Sequence, residues 1–262
     1  MSGPENEMQS RREFLNGITA AGLLPASSRA RRFNSMPIKA IVFDAFPILD
    51  VRPVYSLGER LFPEKGAELA NLWRARQFEY MWLRSLSGHY SDFLGVTADA
   101  LVFAARVLKL ELTAQKRSLL MEAWLQLTCW PDVPTALQAL SSSGLRIGFL
   151  SNMTAKMLEA GLRNCGLRDL FEQVLSTDRV RVYKPDPRAY HMAIDAFRLR
   201  RQEIAFAAFA GWDAAGAESF GYRTYWVNRQ NQPAEELGVT LRATGTTLTD
   251  LVAYLVEERT AH

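Results

Sequence analysis

The sequence predicts an α/β fold in which a doubly wound parallel sheet carries a helical cap inserted after its first strand. Three observations predict it. Short runs rich in apolar and β-branched residues at 38–43, 145–150, 172–175, 204–209 and 224–227 read as strands buried on both faces. Beyond residue 130 these runs alternate with helical patterns at 134–143, 155–165 and 187–198, and such alternation builds a parallel sheet. Between the first run and residue 130 there is no strand signal, only long amphipathic stretches at 67–86, 98–108 and 114–128. The expected division is therefore a Rossmann-like core from 36–51 and 131–262, with a helical cap from 52–130.

The elements follow in chain order. Residues 1–35 stand apart from the rest. Ser10-Arg11-Arg12-Glu13-Phe14-Leu15 precedes a small-residue apolar run at 18–26 and then Ser27-Ser28-Arg29-Ala30. That pattern resembles a twin-arginine export signal and implies a periplasmic protein; read as an ordinary basic tail, it leaves the chain in the cytoplasm. Its apolar run is too short to span a bilayer, and no other stretch approaches that length, so no membrane partner is expected. The first strand ends in Asp44. The cap stretch is rich in aromatic residues: Trp73, Phe78, Tyr80, Trp82, Tyr90 and Phe93. The later strands end near Ser151-Asn152 and Asp213, and ligands of such sheets bind beyond the carboxyl ends of the strands.

Composition narrows the function. A chain of 262 residues with 48% hydrophobic and 23% charged content folds rather than staying disordered. Its net charge is only +3 and its basic residues are interspersed with acids, which argues against nucleic acid as a partner. Cys129 and Cys165 lie far apart, with neither a CxxC partner nor metal-ligand spacing to the histidines, and read as buried small hydrophobes.

An aspartate closing a buried strand either caps the following turn or serves as a nucleophile from a dry cleft. The rest of the chain favours the second. The strand ending in Asp44 is followed by the strand ending in Ser151-Asn152, by Val182-Tyr183-Lys184-Pro185-Asp186, and by the strand leading to Gly211-Trp212-Asp213-Ala214-Ala215-Gly216-Ala217. Together they resemble the ordered motifs of the haloacid dehalogenase superfamily. Phosphatases of that superfamily carry a second aspartate two residues after the nucleophile and acids near the last motif that hold Mg²⁺; here those places are Phe46 and Ala217. Few hard oxygen ligands remain, so no metal is expected, and the resemblance implies no organic cofactor. Residues 72–86 resemble the cap helix of type II L-2-haloacid dehalogenases, and the likeness extends over residues 38–256.

That resemblance implies a hydrolase that acts on a small 2-haloacid. Asp44 would displace halide from C2 with inversion and form an ester, which water then hydrolyses. Arg74 and Asn152 would receive the halide, and Phe46, Phe93 and Trp212 would wall the cleft. Ser151 and neighbouring amides would hold the substrate carboxylate, and Lys184 would pair with Asp44 and Asp213. Tyr190 joins the substrate-binding set as the residue that steadies this network. A homodimer, common in the family, is also implied.

The chain departs from the family pattern at four places. Pro47 and Ile48 replace a glycine and a threonine after the nucleophile, which removes a donor to its carboxylate. Ala208 and Ala210 replace a serine and an asparagine before Trp212. Two alternatives stay open at this point: another hydrolase of the superfamily, phosphatase-like in chemistry, or a relative that has lost dehalogenation.

Overall fold

The computed structural model describes residues 36–260. Its centre is β1 (Ala40–Phe43), which pairs in parallel with β4 (Arg146–Ser151) on one side and β6 (Ile204–Ala208) on the other. Beyond them lie β5 (Gln173–Ser176), β7 (Arg223–Val227) and β8 (Ala243–Gly245), in the order β5-β4-β1-β6-β7-β8. From β1 the chain builds outward through β4 and β5, then returns to β6 on the opposite side of β1. The order therefore reverses at β1, and the crevice beyond its carboxyl end is the switch point where such sheets bind ligands.

Strand residues alternate between two apolar layers, as the period of two requires. Ile41, Phe43, Ile147, Phe149, Val174, Ala205 and Ala207 join one cluster. Ala40, Val42, Leu150, Leu175, Ile204, Phe206 and Ala208 join the other, under α7 (Pro187–Phe197) and α8 (Gly211–Phe220). The first cluster also takes in α5 (Val133–Ser142), α6 (Ala155–Cys165) and α9 (Leu248–Thr260).

The segment between β1 and α5 is helical as expected, comprising α1 (Arg52–Leu61), α2 (Gly66–Ser87), α3 (Phe93–Val107) and α4 (Ala114–Ala123). Its Leu69, Trp73, Met81, Phe93 and Trp124 belong to the same buried cluster as Phe43 and Phe149, so the helices share the core of the sheet. The ends of the segment meet in a short antiparallel ribbon, β2 (Leu49–Asp50) with β3 (Thr128–Cys129).

Several elements differ from the sequence reading. α3 starts at Phe93 rather than 98 because Asp92 caps it, accepting the Gly95 amide at 2.7 Å. α4 stops at Ala123 rather than 128, and the Asn164 side chain holds the carbonyls of Leu125 and Leu127 at 3.0 and 3.1 Å. The strand runs at 38–43 and 145–150 shift to Ala40–Phe43 and Arg146–Ser151. β2 and β3 are two residues each, too short for any periodic signal. α1, α8, α9 and β8 have no counterpart in the sequence reading. The twin-arginine pattern lies outside the described residues. Among those described, no helix is long and apolar enough to cross a membrane.

Candidate active site

The switch point collects groups from four segments of the chain. Asp44 follows β1, is 8% exposed, and is tied by its amide to the carbonyl of Ala207 at 2.9 Å. Its two carboxylate oxygens differ. Oδ1 accepts the Lys184 ammonium at 2.9 Å and the Ser151 hydroxyl at 3.1 Å. Among the described residues Oδ2 accepts only the Phe46 amide, at 3.4 Å, a long and weak contact. The nucleophile candidate therefore has one anchored oxygen and one nearly free.

Lys184 is fully buried and uses its three protons on Asp44, on Asp213 at 2.6 Å and on the Leu150 carbonyl at 3.2 Å. Asp213, in the first turn of α8, accepts the Tyr190 hydroxyl on its other oxygen at 2.7 Å. Gly216 permits that approach, because a Cβ there would lie 2.6 Å from the Tyr190 hydroxyl and 2.9 Å from Pro185. Burial pushes the Lys184 ammonium down, but Asp213 and then Asp44 outweigh it, so its pKa is raised and the group is charged. Burial lifts Asp213 to about 6, against the pull of Lys184 and with the push of Asp44. Burial, reinforced by Asp213, holds the Tyr190 hydroxyl protonated. One ammonium thus balances two buried carboxylates, and the excess negative charge stays next to the crevice.

α2 forms the facing wall. Arg74, Gln77, Phe78 and Met81 fall at i, i+3, i+4 and i+7, one helical face, and all border the cavity above Asp44. The helix is fixed by Trp73, which donates to the Thr97 carbonyl at 2.8 Å, and by Gln77, which donates to the Thr97 hydroxyl at 2.6 Å. On the same helix Arg76 and Arg84 pair with Glu79 and Asp99. Arg74 has no hydrogen bond or ion pair among the described residues, and its guanidinium lies 5.8 Å from the centre of the Phe78 ring. An unneutralised guanidinium in an apolar wall is a site for an anion.

Asn152 supplies a second donor. Its Oδ1 accepts the Lys184 amide at 3.0 Å and the Thr177 hydroxyl at 3.3 Å, which orients Nδ2 toward Met81 at the cavity. Phe46, Phe93 and Trp212 border the same space, with Phe46 edge-on to Phe209 and Trp212 edge-on to Phe78. The cavity measures about 30 Å³ on a scale where one water needs roughly 10–15 Å³, so it suits only a small molecule. A wider cavity of about 480 Å³ adjoins it and shares Arg74, Phe78, Phe209, Ala210 and Trp212 as walls.

Of the residues singled out in the sequence, Asp44, Arg74, Asp213, Ser151, Asn152, Phe46, Phe93 and Trp212 meet at this cavity. One placement differs. Tyr190 does not reach it; the ring is buried behind Asp213, so Tyr190 belongs to the charge network and not to the substrate surface. Ser151 directs its hydroxyl at Asp44 Oδ1. Of the two alanine departures, Ala210 borders the cavity whereas Ala208 points into the second apolar layer. Tyr55, Gln77, Met81, Met153 and Phe209 also border it and were missed. The i+3 and i+7 spacing from Arg74 could have identified Gln77 and Met81, but Tyr55 sits on a helix with no counterpart in the sequence reading. Among the described residues there is no group of three or more His, Cys, Asp or Glu placed to hold a metal.

Comparison with known proteins gives a consistent set of relatives. The haloacid dehalogenase-like hydrolase family model matches residues 38–221. An (S)-2-haloacid dehalogenase of Pseudomonas sp. (strain YL) is 44% identical over 204 residues, 78% of this chain and 88% of that protein. A crystal structure of an L-2-haloacid dehalogenase superposes with a TM-score of 0.83 at 40% identity, covering 84% of this chain and all of that one. The L-2-haloacid dehalogenase of Xanthobacter autotrophicus with chloropropionic acid covalently bound superposes at 0.78 and 31% identity, over 84% of this chain and 98% of that one.

Proposed function

The chain belongs to the haloacid dehalogenase-like hydrolases, and from that premise we propose that it hydrolyses short-chain L-2-haloalkanoic acids to 2-hydroxy acids with inversion at C2. The carrying observation is the pairing of a half-anchored Asp44 carboxylate with an unpartnered Arg74 across a small aromatic-walled cavity. Asp44 Oδ2 attacks C2 in line with the carbon–halogen bond; the C–O bond forms as the C–X bond breaks, and the halide departs toward Arg74 and Asn152 Nδ2. The surrounding aromatic rings exclude water and strengthen the arginine's field.

The ester so formed keeps Oδ1 as its carbonyl oxygen, already facing Lys184 and Ser151 at 2.9 and 3.1 Å. Those two donors stabilise the negative charge that develops when water adds to the Asp44 carbonyl carbon. Asp213, with its pKa near 6, is matched to take the proton of that water at neutral pH. The Ser151 hydroxyl can also rotate toward the substrate carboxylate when the substrate binds.

The test is halide release from L- and D-2-bromopropionate with excess chelator present. Release from the L-isomer alone, insensitive to chelator, is expected. Because Ala210 adds no polar side chain to help Asp213 hold the water, the first turnover should appear as a bromide burst near the enzyme concentration, followed by a slower steady rate. Chelator-sensitive phosphate release from p-nitrophenyl phosphate, without halide release, would replace this reading by the phosphatase one.

We propose in addition that residues 1–35 direct export through their arginine pair. Replacing Arg11 and Arg12 together by lysine should retain the protein in the cytoplasm on cell fractionation. Unchanged fractionation would reduce the segment to a basic tail.

A further inference from the structure

The sequence separates Cys129 and Cys165 and suggests no relation between them. The fold brings them together. Cys129 lies in β3, opposite Leu49 of β2, and Cys165 is the last residue of α6. α6 packs directly on this ribbon: a Cβ on Gly161 would fall 2.6 Å from Leu49, and Asn164 holds the carbonyls of Leu125 and Leu127 just before Cys129. The two side chains are close enough for Cys129 to act on the Cys165 thiol. Both thiols are free and only partly buried, which leaves room for a small disulfide reagent to reach them.

We propose that Cys129 and Cys165 are a covalent modification site: in an oxidising environment they form an intramolecular disulfide that joins the end of the helical segment to α6. The chemistry is thiol–disulfide exchange with a disulfide oxidant. One protein thiolate attacks the oxidant, forming a mixed disulfide and releasing one thiol. The second protein thiolate displaces the other, so that two protons and two electrons leave the protein and the oxidant becomes two thiols. Burial, with Cys129 beside it, pushes the Cys165 thiol up to about 12, so an alkaline medium is needed to raise its thiolate fraction.

The link would matter because of where it sits. Cys129 is followed by Trp130, whose indole donates to the Phe46 carbonyl at 3.0 Å, and the pairing of β2 with β3 closes the neck between the helical segment and the sheet. A bond here would close a loop of about 37 residues, and a loop of that size raises Tm by about 5–10 °C if the geometry is unstrained.

The test uses the full chain incubated with oxidised glutathione at about pH 8.5, then digested without reduction. The expected result is loss of both titratable thiols, a monomer about 2 Da lighter, a 129–165 linked peptide, and a higher Tm that returns to its starting value with dithiothreitol. Since these are the chain's two cysteines, the linked peptide has one assignment. Cys165→Ser should give instead a glutathione adduct on Cys129 and no rise in Tm. Persistent free thiols, stable glutathione adducts on both residues in the unsubstituted protein, or a disulfide-linked dimer would each overturn the proposal.

Discussion

Asp44→Asn should lower halide release by about four orders of magnitude or more, with the fold retained. The amide keeps the shape of the carboxylate and an oxygen to accept the Lys184 and Ser151 donors now on Oδ1 at 2.9 and 3.1 Å. It puts an NH2 group where the free oxygen stood, and the nitrogen lone pair, delocalised into the amide, cannot displace the halide. Neither Lys184 nor Asp213 can stand in, since Lys184 is a cation and both Asp213 oxygens already accept hydrogen bonds, from Lys184 at 2.6 Å and Tyr190 at 2.7 Å. The check is rapid-quench bromide release together with a circular dichroism spectrum and the intact mass after mixing with L-2-bromopropionate. A burst of bromide with a mass adduct in the variant would remove Asp44 from the nucleophile role.

Lys184→Met should weaken both the fold and the chemistry. Methionine replaces the alkyl stem with a chain of similar length but leaves Asp44 and Asp213 facing each other, both largely buried, without a counter-charge. Removing one partner of a buried ion pair costs about 3–5 kcal/mol, read as a lower urea midpoint at neutral pH. The sign with pH follows from the raised pKa of Lys184. Its stabilising contribution is fully present below the unfolded value of about 10.4 and is lost as pH rises through the higher folded value. The penalty in the variant should shrink as the pH falls, because Asp213 then protonates and the repulsion disappears. Activity moves in the opposite sense. The unsubstituted enzyme needs ionised Asp213, so its rate should fall as pH drops through about 6. Without Lys184 pulling that pKa down, the acid limb should shift upward, and the rate at neutral pH should drop by about 10²–10³-fold through loss of the donor on Oδ1. A variant with an unchanged urea midpoint and an unmoved acid limb would show that the ammonium is not what balances the two carboxylates.

Much of the architecture was readable in the chain. Five core strands show as short apolar runs because both faces of a parallel sheet are buried, and three crossover helices show the longer period between them. Asp44, Ser151 and Asp213 were placed near one another by a single rule: residues at the carboxyl ends of adjacent strands share a crevice. The two-residue ribbon was not readable, since four residues carry no period.

The sequence by itself determined which groups are available: an aspartate at the end of a doubly buried strand, the lysine and second aspartate in ordered motifs, and the arginine on a long helix. It could not decide how their atoms are shared. That Oδ1 of Asp44 is anchored while Oδ2 is left nearly free depends on partners 107 and 140 residues away. Arg76 pairs with Glu79 one turn along its own helix, but that Arg84 holds Asp99 of α3 while Arg74 has no partner among the described residues depends on which face α2 turns toward α3. The meeting of Cys129 with Cys165 depends on α6 lying across a ribbon too short to see. Strand and helix periods are local and survive in any short window of sequence. Hydrogen-bond partners are chosen by strand order and by the rotation of each helix about its axis, and these are settled only when the whole core packs.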